Sequence, residues 1–326
     1  MKALKICVLG VGNWGINHVR TLKSIDVSVG CVEINLKRIG KLKQQFDNLV
    51  IHNSVEDSLA YEYDGYIIAT PASTHMKLSN FLISKRKPVL VEKPLCLSLA
   101  EAGQIKSQII KYNGKLIVGH LMLFHPAIQK IKSMISSGKI GNLQYIYSNR
   151  LNLGIVRKEE NVFWSFAPHD VSLFQYFSES FPSSVVSLGR DYLQKKIHDT
   201  TITYLKYPNG IEGHIFVSWL HPFKEHRLVL VGSKGSLHFE DSKKNKPLLF
   251  YEKENLGNKD LSKLKNKILK KIDYEPSLPL NNELKYFIDI IKGKQKINNA
   301  NINQGIDVIK ILEMATNSLN RNTNQL

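Results

Sequence analysis

The stretch Lys5-Ile6-Cys7-Val8-Leu9-Gly10-Val11-Gly12-Asn13-Trp14-Gly15 limits the possible folds more than any other part of the chain. Its apolar run reads as a buried strand, its glycines are spaced G-x-G-x-x-G, and Ile16, Val19, Leu22 and Ile25 then recur at helical spacing. A second apolar run, 27–32, ends at Glu33, and a polar helical pattern resumes over 38–46. Strand, glycine turn, helix and strand make a βαβ unit with parallel strands. In such a unit the first glycine permits the turn, the second lets a pyrophosphate approach the backbone, and the third lets the helix pack close. Around Asn13 and Trp14 the free N–H groups of the helix start can bind phosphate. Glu33 can accept hydrogen bonds from a ribose diol and would repel a 2′-phosphate, which favours NAD over NADP. Arg38 would serve a 2′-phosphate if it folded back, and is otherwise a solvated helix residue.

Further buried-strand runs at 66–70, 88–91 and 115–119 alternate with helical stretches, so the first part should be a doubly wound parallel sheet in an α/β chain. After Phe124 strand-like runs follow one another directly: 143–151, 185–188, 200–207, 213–219, 226–231 and 236–239. Tyr207-Pro208-Asn209-Gly210 is a hairpin signal. Helical patterns at 281–293 and 304–319 close the chain. This predicts a Rossmann domain over 1–122 and an α+β domain with an open antiparallel sheet over 123–326.

The 326 residues suffice for two domains, and no apolar run approaches the ~18 residues of a membrane span. The opening MKALKICVLG has the look of a secretory start, but GVGNWG interrupts it, so it is read as a strand. Cys7, Cys31 and Cys96 have neither metal-ligand nor disulfide spacing, which suits a reducing cytoplasm and no bound metal. The net charge of +17 attracts anions of every kind. Its densest run, Lys259 to Lys271, has Leu261, Leu264, Ile268 and Ile272 at helical spacing. It reads as a basic amphipathic helix over 259–272 packed on the protein body, with a membrane-surface helix or a lid over a diphosphate as the alternatives.

Three further stretches resemble the Gfo/Idh/MocA oxidoreductase family: Ala69-Thr70-Pro71-Ala72-Ser73-Thr74-His75, Val91-Glu92-Lys93-Pro94, and Trp164-Ser165-Phe166-Ala167-Pro168-His169-Asp170. Pro279-Leu280-Asn281-Asn282-Glu283 and Gly305 fit the same pattern. The resemblance implies hydride transfer between a sugar or cyclitol hydroxyl and a nicotinamide, cofactor contacts from Thr70, Pro71, Thr74, His75, Glu92 and Lys93, and a homodimer or homotetramer. It also places Lys93 and His169 beside the reacting hydroxyl. A lysine would need its pKa lowered from about 10.4 to act as base, whereas an imidazole starts near 6.5, so His169 is the expected base and Lys93 the cation that stabilises an alkoxide. The family often has aspartates four residues before and three after this histidine. Here those positions are Ser165 and Ser172, while Asp170 is adjacent to His169 and points away from it. Asp170 is expected to bind substrate or cap the following helix.

The string from Ser148 to Asp170 is similar to the branch of the family that acts on nucleotide sugars in surface-polysaccharide pathways. That likeness implies oxidation of the 3-hydroxyl of a UDP-linked N-acetylglucosamine or its uronate. Arg150, Asn152 and Arg157 then read as ligands of an anionic, polyhydroxylated molecule, Lys224 and Arg227 as diphosphate ligands, and His120 as lining the cleft. The rival readings are a dehydrogenase of a free sugar or cyclitol such as inositol, transient oxidation that cleaves glycosides, and a non-catalytic NAD-binding regulator. A zinc alcohol dehydrogenase would need ligand clusters that the sequence lacks, and Tyr192 to Lys196 matches Tyr-x-x-x-Lys by chance. No motif of the nucleic-acid-binding type is present.

Overall fold

A computed structural model describes residues 4–154, 156–253 and 266–323. The chain divides into two compact units, Met1–Phe124 with Ser277–Ile309 and His125–Pro276 with Lys310–Leu326.

The first unit contains β1 (Lys5–Leu9), α1 (Gly15–Ser24), β2 (Ser28–Val32), α2 (Leu36–Gln45), β3 (Val50–His52), α3 (Val55–Leu59), β4 (Gly65–Ile68), α4 (His75–Ser84), β5 (Val89–Glu92), α5 (Leu99–Tyr112) and β6 (Leu116–Gly119). All six strands are parallel, in the order β3-β2-β1-β4-β5-β6. Every residue of β4, β5 and β6 is buried, which is why these strands are unbroken apolar runs and not alternating ones. Side chains cap the helices: Asn35 accepts from the Arg38 N–H at the start of α2, and Ser98 accepts from the Glu101 N–H at the start of α5.

The second unit contains α6 (Pro126–Ser136), β7 (Leu143–Leu151), α7 (Val162–Phe166), α8 (Pro168–Ser178), β8 (Ser184–Arg190), β9 (Thr200–Lys206), β10 (Glu212–Ser218), β11 (Glu225–Gly232), β12 (Gly235–Glu240), β13 (Leu248–Lys253) and β14 (Asn266–Ile272). The eight strands run in the order β14-β13-β12-β11-β7-β10-β9-β8. Gly210, at φ +80°, turns β9 into β10 as the hairpin signal requires. The expected antiparallel sheet is instead mixed, because β7 and β10 pair in parallel. The α7–α8 segment and the β8–β9 hairpin lie between them in sequence, long enough to carry the chain back to the same edge.

Two further expectations change. The basic run at 259–272 is not one helix: 254–265 lie outside the described residues, and 266–272 form β14 against β13. Leu269 and Ile272 satisfy helical spacing, but the backbone of β13 supplies a ladder that a surface helix would forgo. The C-terminal part assigned to the second domain also divides. Ser277–Ile309, with α9 (Pro279–Ile291), belongs to the first unit, and α10 (Ile302–Thr323) is split between the two at Ile309. Leu284, Phe287, Ile288 and Ile290 of α9 join one core with Ile6, Val8, Val29, Ile67 and Leu90. The Val118 N–H bonds to the Ala300 carbonyl at 2.8 Å.

Candidate active site

In the first unit the glycine turn is sterically closed to other residues. Gly10 has φ +80°, and a Cβ there would lie 2.7 Å from Thr70 Cγ2; at Gly15 it would lie 2.0 Å from the Gly10 carbonyl oxygen. Gly12 is different, since a Cβ would meet only the Arg38 guanidinium at 3.8 Å, and that side chain can swing away. The loop can therefore bring backbone N–H groups against a phosphate at Gly12 while Gly10 and Gly15 hold its shape.

Glu33 is buried at the end of β2. Its Oε2 accepts from the Val11 N–H at 3.0 Å, and Oε1 accepts from the Ile34 and Asn35 N–H groups at 3.0 and 2.9 Å. A carboxylate has about four acceptor positions, so one remains for a ribose hydroxyl. Arg38 lies with Nη1 3.6 Å from Glu33 Oε2 and is half exposed. It is thus neither a free solvated cation nor far from the ribose position. These features fit a dinucleotide: a turn that side chains would fill, a helix N-terminus beyond it, and a carboxylate at the next strand end.

The ends of β4 and β5 form the adjoining wall. His75 Nδ1 faces the Pro94 carbonyl and Nε2 the Thr70 carbonyl, both at 2.9 Å, and burial pushes the imidazole below its ordinary pKa. The ring ties Thr70 to the Lys93-Pro94 segment. Thr70 and Thr74 hydroxyls share a hydrogen bond of 2.6 Å, and Thr74 also donates to the Pro71 carbonyl. Glu92 Oε1 accepts from Trp14 Nε1 at 2.5 Å and His18 Nε2 at 2.6 Å, and Oε2 accepts from the Lys93 N–H at 3.2 Å. Burial alone would raise this carboxyl, but the His18 and Trp14 hydrogen bonds and the Lys93 charge hold it below the usual range. His120 is buried with neither ring nitrogen hydrogen-bonded, and burial pushes it down to about 4. The fingerprint, Thr70–His75, Glu92–Lys93 and His120 are therefore all at or beside the carboxyl ends of the strands, where open α/β sheets bind ligands.

In the second unit His169 and Asp170 are in the first turn of α8. Asp170 does not orient His169. Its carboxylate accepts from Arg150 Nε at 2.7 Å and Nη2 at 3.2 Å, a buried bidentate pair. Burial would lower the Arg150 pKa, but the Asp170 charge and hydrogen bonds raise it. Arg150 Nη1 also donates to His226 Nδ1 at 3.3 Å, and beyond His226 lies Asp241, which Lys246 approaches at 2.7 Å. Arg150 is therefore consumed internally. Arg227 likewise sits 3.2 Å from Glu240 and 3.4 Å from Glu225. Ser165 is buried in α7, and Ser172 donates to the His169 carbonyl at 2.7 Å.

Asn152, Arg157, Tyr192, Phe223 and Lys224 lie in segments that leave or enter one end of this sheet. Asn152 follows β7, Tyr192 follows β8, and Phe223 and Lys224 precede β11. The Asn152 N–H bonds to the Ser218 carbonyl, and Gln194 donates to the Arg157 carbonyl at 2.8 Å. Tyr192 and Phe223 are 70% and 57% exposed, and the Phe223 ring stacks on His221. The Arg157 side chain is 55% exposed with Glu160 at 3.9 Å, and Lys224 is exposed.

His18, His226 and Asp241 were not singled out in the sequence, and Glu283 entered only within the Pro279–Glu283 stretch, with no role of its own. His18 and Glu283 sit on core-facing positions of α1 and α9, and the signal was present: a polar residue at the spacing of the buried stripe Gly15-Val19-Leu22 or Leu284-Phe287. No local pattern marks His226 or Asp241.

A parallel sheet in 3-2-1-4-5-6 order with a glycine fingerprint at its first turn defines a dinucleotide-binding oxidoreductase domain. The model of the oxidoreductase family with an NAD-binding Rossmann fold, Gfo/Idh/MocA, matches residues 4–120, and the model of the Gfo/Idh/MocA C-terminal domain matches 128–238. The chain belongs to the Gfo/Idh/MocA family and is an NAD-binding oxidoreductase acting on CH–OH groups of sugars or cyclitols. It is similar to scyllo-inositol 2-dehydrogenase (NAD(+)) of Bacillus subtilis, 28% identical over 72% of this chain and 73% of the relative. It is also similar to UDP-N-acetylglucosamine 3-dehydrogenase of Acidithiobacillus ferrooxidans, 24% identical over 65% of this chain and 66% of the relative. The solved structure of that enzyme superposes with a TM-score of 0.85 at 20% identity, covering 98% of this chain and 99% of its own. Among the described residues no helix is long and apolar enough to cross a membrane, and no group of three His, Cys, Asp or Glu side chains could hold a metal.

Proposed function

We propose that the protein oxidises a ring hydroxyl, the 3-hydroxyl, of a UDP-linked N-acetylhexosamine or its uronate. The observation that carries this reading is the loop end of the second sheet, where exposed Tyr192 and Phe223 rings accompany Arg157 and Lys224. A nucleoside diphosphate uses both, its base stacking on a ring and its phosphates meeting the cations, whereas a free six-carbon polyol carries no charge for spare cations to meet. Of the six expected polar ligands, Asn152, Arg157 and Lys224 keep that role, while Arg150 and Asp170 shape the floor as an ion pair. Arg227 supports the wall through Glu240.

His169 takes the hydroxyl proton, since an imidazole is near neutrality at working pH, and the Lys93 ammonium stabilises the alkoxide. Bound NAD supplies the hydride acceptor. Gly12 and the α1 N-terminus hold its pyrophosphate, and Glu33 holds the adenosine ribose. The second reading, a cyclitol dehydrogenase, is favoured by Arg150 and Arg227 being tied up internally and by the inositol dehydrogenase relatives. NADH absorbance with NAD and UDP-N-acetylglucosamine, its uronate or scyllo-inositol separates the two. A rise with either nucleotide sugar that a His169→Ala variant loses supports the first reading; a rise with inositol alone replaces it.

The protein works as a homo-oligomer in the cytoplasm without nucleic-acid or membrane partners. Val186 and Leu188 of β8 sit opposite Tyr204 and Ile202 of β9, and all four are exposed on one sheet face. A second copy of the chain covers this face.

A further inference from the structure

Glu283 stands alone among the acidic groups of the first unit. It is fully buried on α9, and neither carboxyl oxygen has a hydrogen-bond partner. The group that faces it electrostatically is Glu92. Glu92 holds three donors, from Trp14, His18 and the Lys93 backbone. Around Glu92 other polar atoms are also bare: both ring nitrogens of buried His120, and Nδ1 of buried His18. His120 and Lys93 both interact electrostatically with Glu92, as does His75. Two carboxylates that face each other in a buried site do not both ionise at neutral pH: the pKa of one is strongly raised. The one with donors takes the charge and the one without keeps the proton.

We propose that Glu283 and Glu92 form a carboxylic acid–carboxylate pair that holds one proton, so that Lys93 meets one negative charge and not two. Glu283 is thus a positioning residue that acts on Lys93 through Glu92. A doubly charged pair would clamp the Lys93 ammonium and hold its proton permanently. A singly charged pair orients the ammonium and leaves it able to hydrogen-bond and stabilise an alkoxide. This rests on the oxidoreductase class and is independent of which sugar is the substrate.

The test compares wild type with Glu283→Gln, a neutral stand-in for the acid, and Glu283→Met in case the amide does not fold. Infrared difference spectra at neutral pH should show the C=O stretch of a protonated carboxylic acid in the wild type and lose it in either variant. A buried neutral acid must ionise on unfolding once the pH exceeds the unfolded carboxyl pKa of about 4.3. The stabilisation it confers is complete below that pH and is lost as pH rises toward the higher folded value. Between pH 5.5 and 8 the wild-type unfolding constant should therefore rise about tenfold more per pH unit than that of Glu283→Gln. Glu92→Gln removes the carboxylate charge that faces the Lys93 ammonium and should move the alkaline-side midpoint of kcat down by about one pH unit, whereas Glu283→Gln leaves it in place. An acid band that survives in both Glu283 variants, equal unfolding slopes, or a kcat midpoint that Glu283→Gln moves as far as Glu92→Gln does would each overturn the proposal.

Discussion

Two buried charge clusters, one in each unit, are partnered differently. In the second, Asp170, Arg150, His226, Asp241 and Lys246 form a chain in which each charge meets an opposite charge or a ring nitrogen. In the first, Glu92 holds three donors while buried His120 and Glu283, which both interact electrostatically with it, keep bare polar atoms. A satisfied network rigidifies its surroundings, whereas bare buried polar groups in a native fold mark a place where chemistry or a ligand is still to act.

The sharpest way to break this contrast is to remove the acting groups. Lys93→Ala or His169→Ala should lower kcat/KM by about 10³-fold, consistent with general acid–base effects of 10² to 10⁴, while leaving urea unfolding midpoints near the wild-type value. Steady-state kinetics beside urea unfolding would show whether function and stability part in this way.

In the second unit the larger effect should fall on stability. Arg150→Met strands the Asp170 charge in the interior and should cost about 3 to 5 kcal/mol, whereas the double change Arg150→Met/Asp170→Leu should recover most of that. Chemical denaturation of the three proteins measures it; a double variant as unstable as the single would mean that the pair is not a closed unit.

Smaller still is the acid response of Asp241. Burial would raise its carboxyl, but the neighbouring His226 ring and Lys246, whose ammonium lies 2.7 Å away, hold it well below the ordinary range. A depressed group contributes stability above its unfolded pKa near 3.9 and loses it as pH falls through the folded value. Asp241→Asn should therefore be less stable than wild type at pH 7 by on the order of 1 kcal/mol, with the gap closing on acidification. Melting temperatures across pH 3 to 7 would show it.

The least change in monomer stability should come from Ile202→Lys on the exposed sheet face, within about 0.5 kcal/mol, yet it should lower the assembly mass seen by light scattering. An unchanged mass would place the oligomer contact elsewhere.

Much of this molecule was legible in its chain because the relevant patterns are short. Gly10, Gly12 and Gly15 sit between a strand and a helix whose apolar spacing announces them, and their steric roles follow from neighbours a few residues away. Buried parallel strands show as unbroken apolar runs, and Gly210 marks its own turn. Other features depend on residues that meet only after packing. Arg150 and Asp170 each looked available for a ligand until the fold joined them. The amphipathic run ending at Ile272 was resolved by a strand partner, β13, and not by its own period. Glu283 faces Glu92 electrostatically because α9 returns to the first unit's core through Leu284 and Phe287. Side-chain periodicity and turn chemistry are local properties, so sequence alone determined the fold class and the cofactor turn, while the candidate catalytic pair, Lys93 and His169, came from the family resemblance of two short motifs. Whether a charge is spent, shared or left bare depends on the partners that burial brings to it, and the tertiary structure alone decided that.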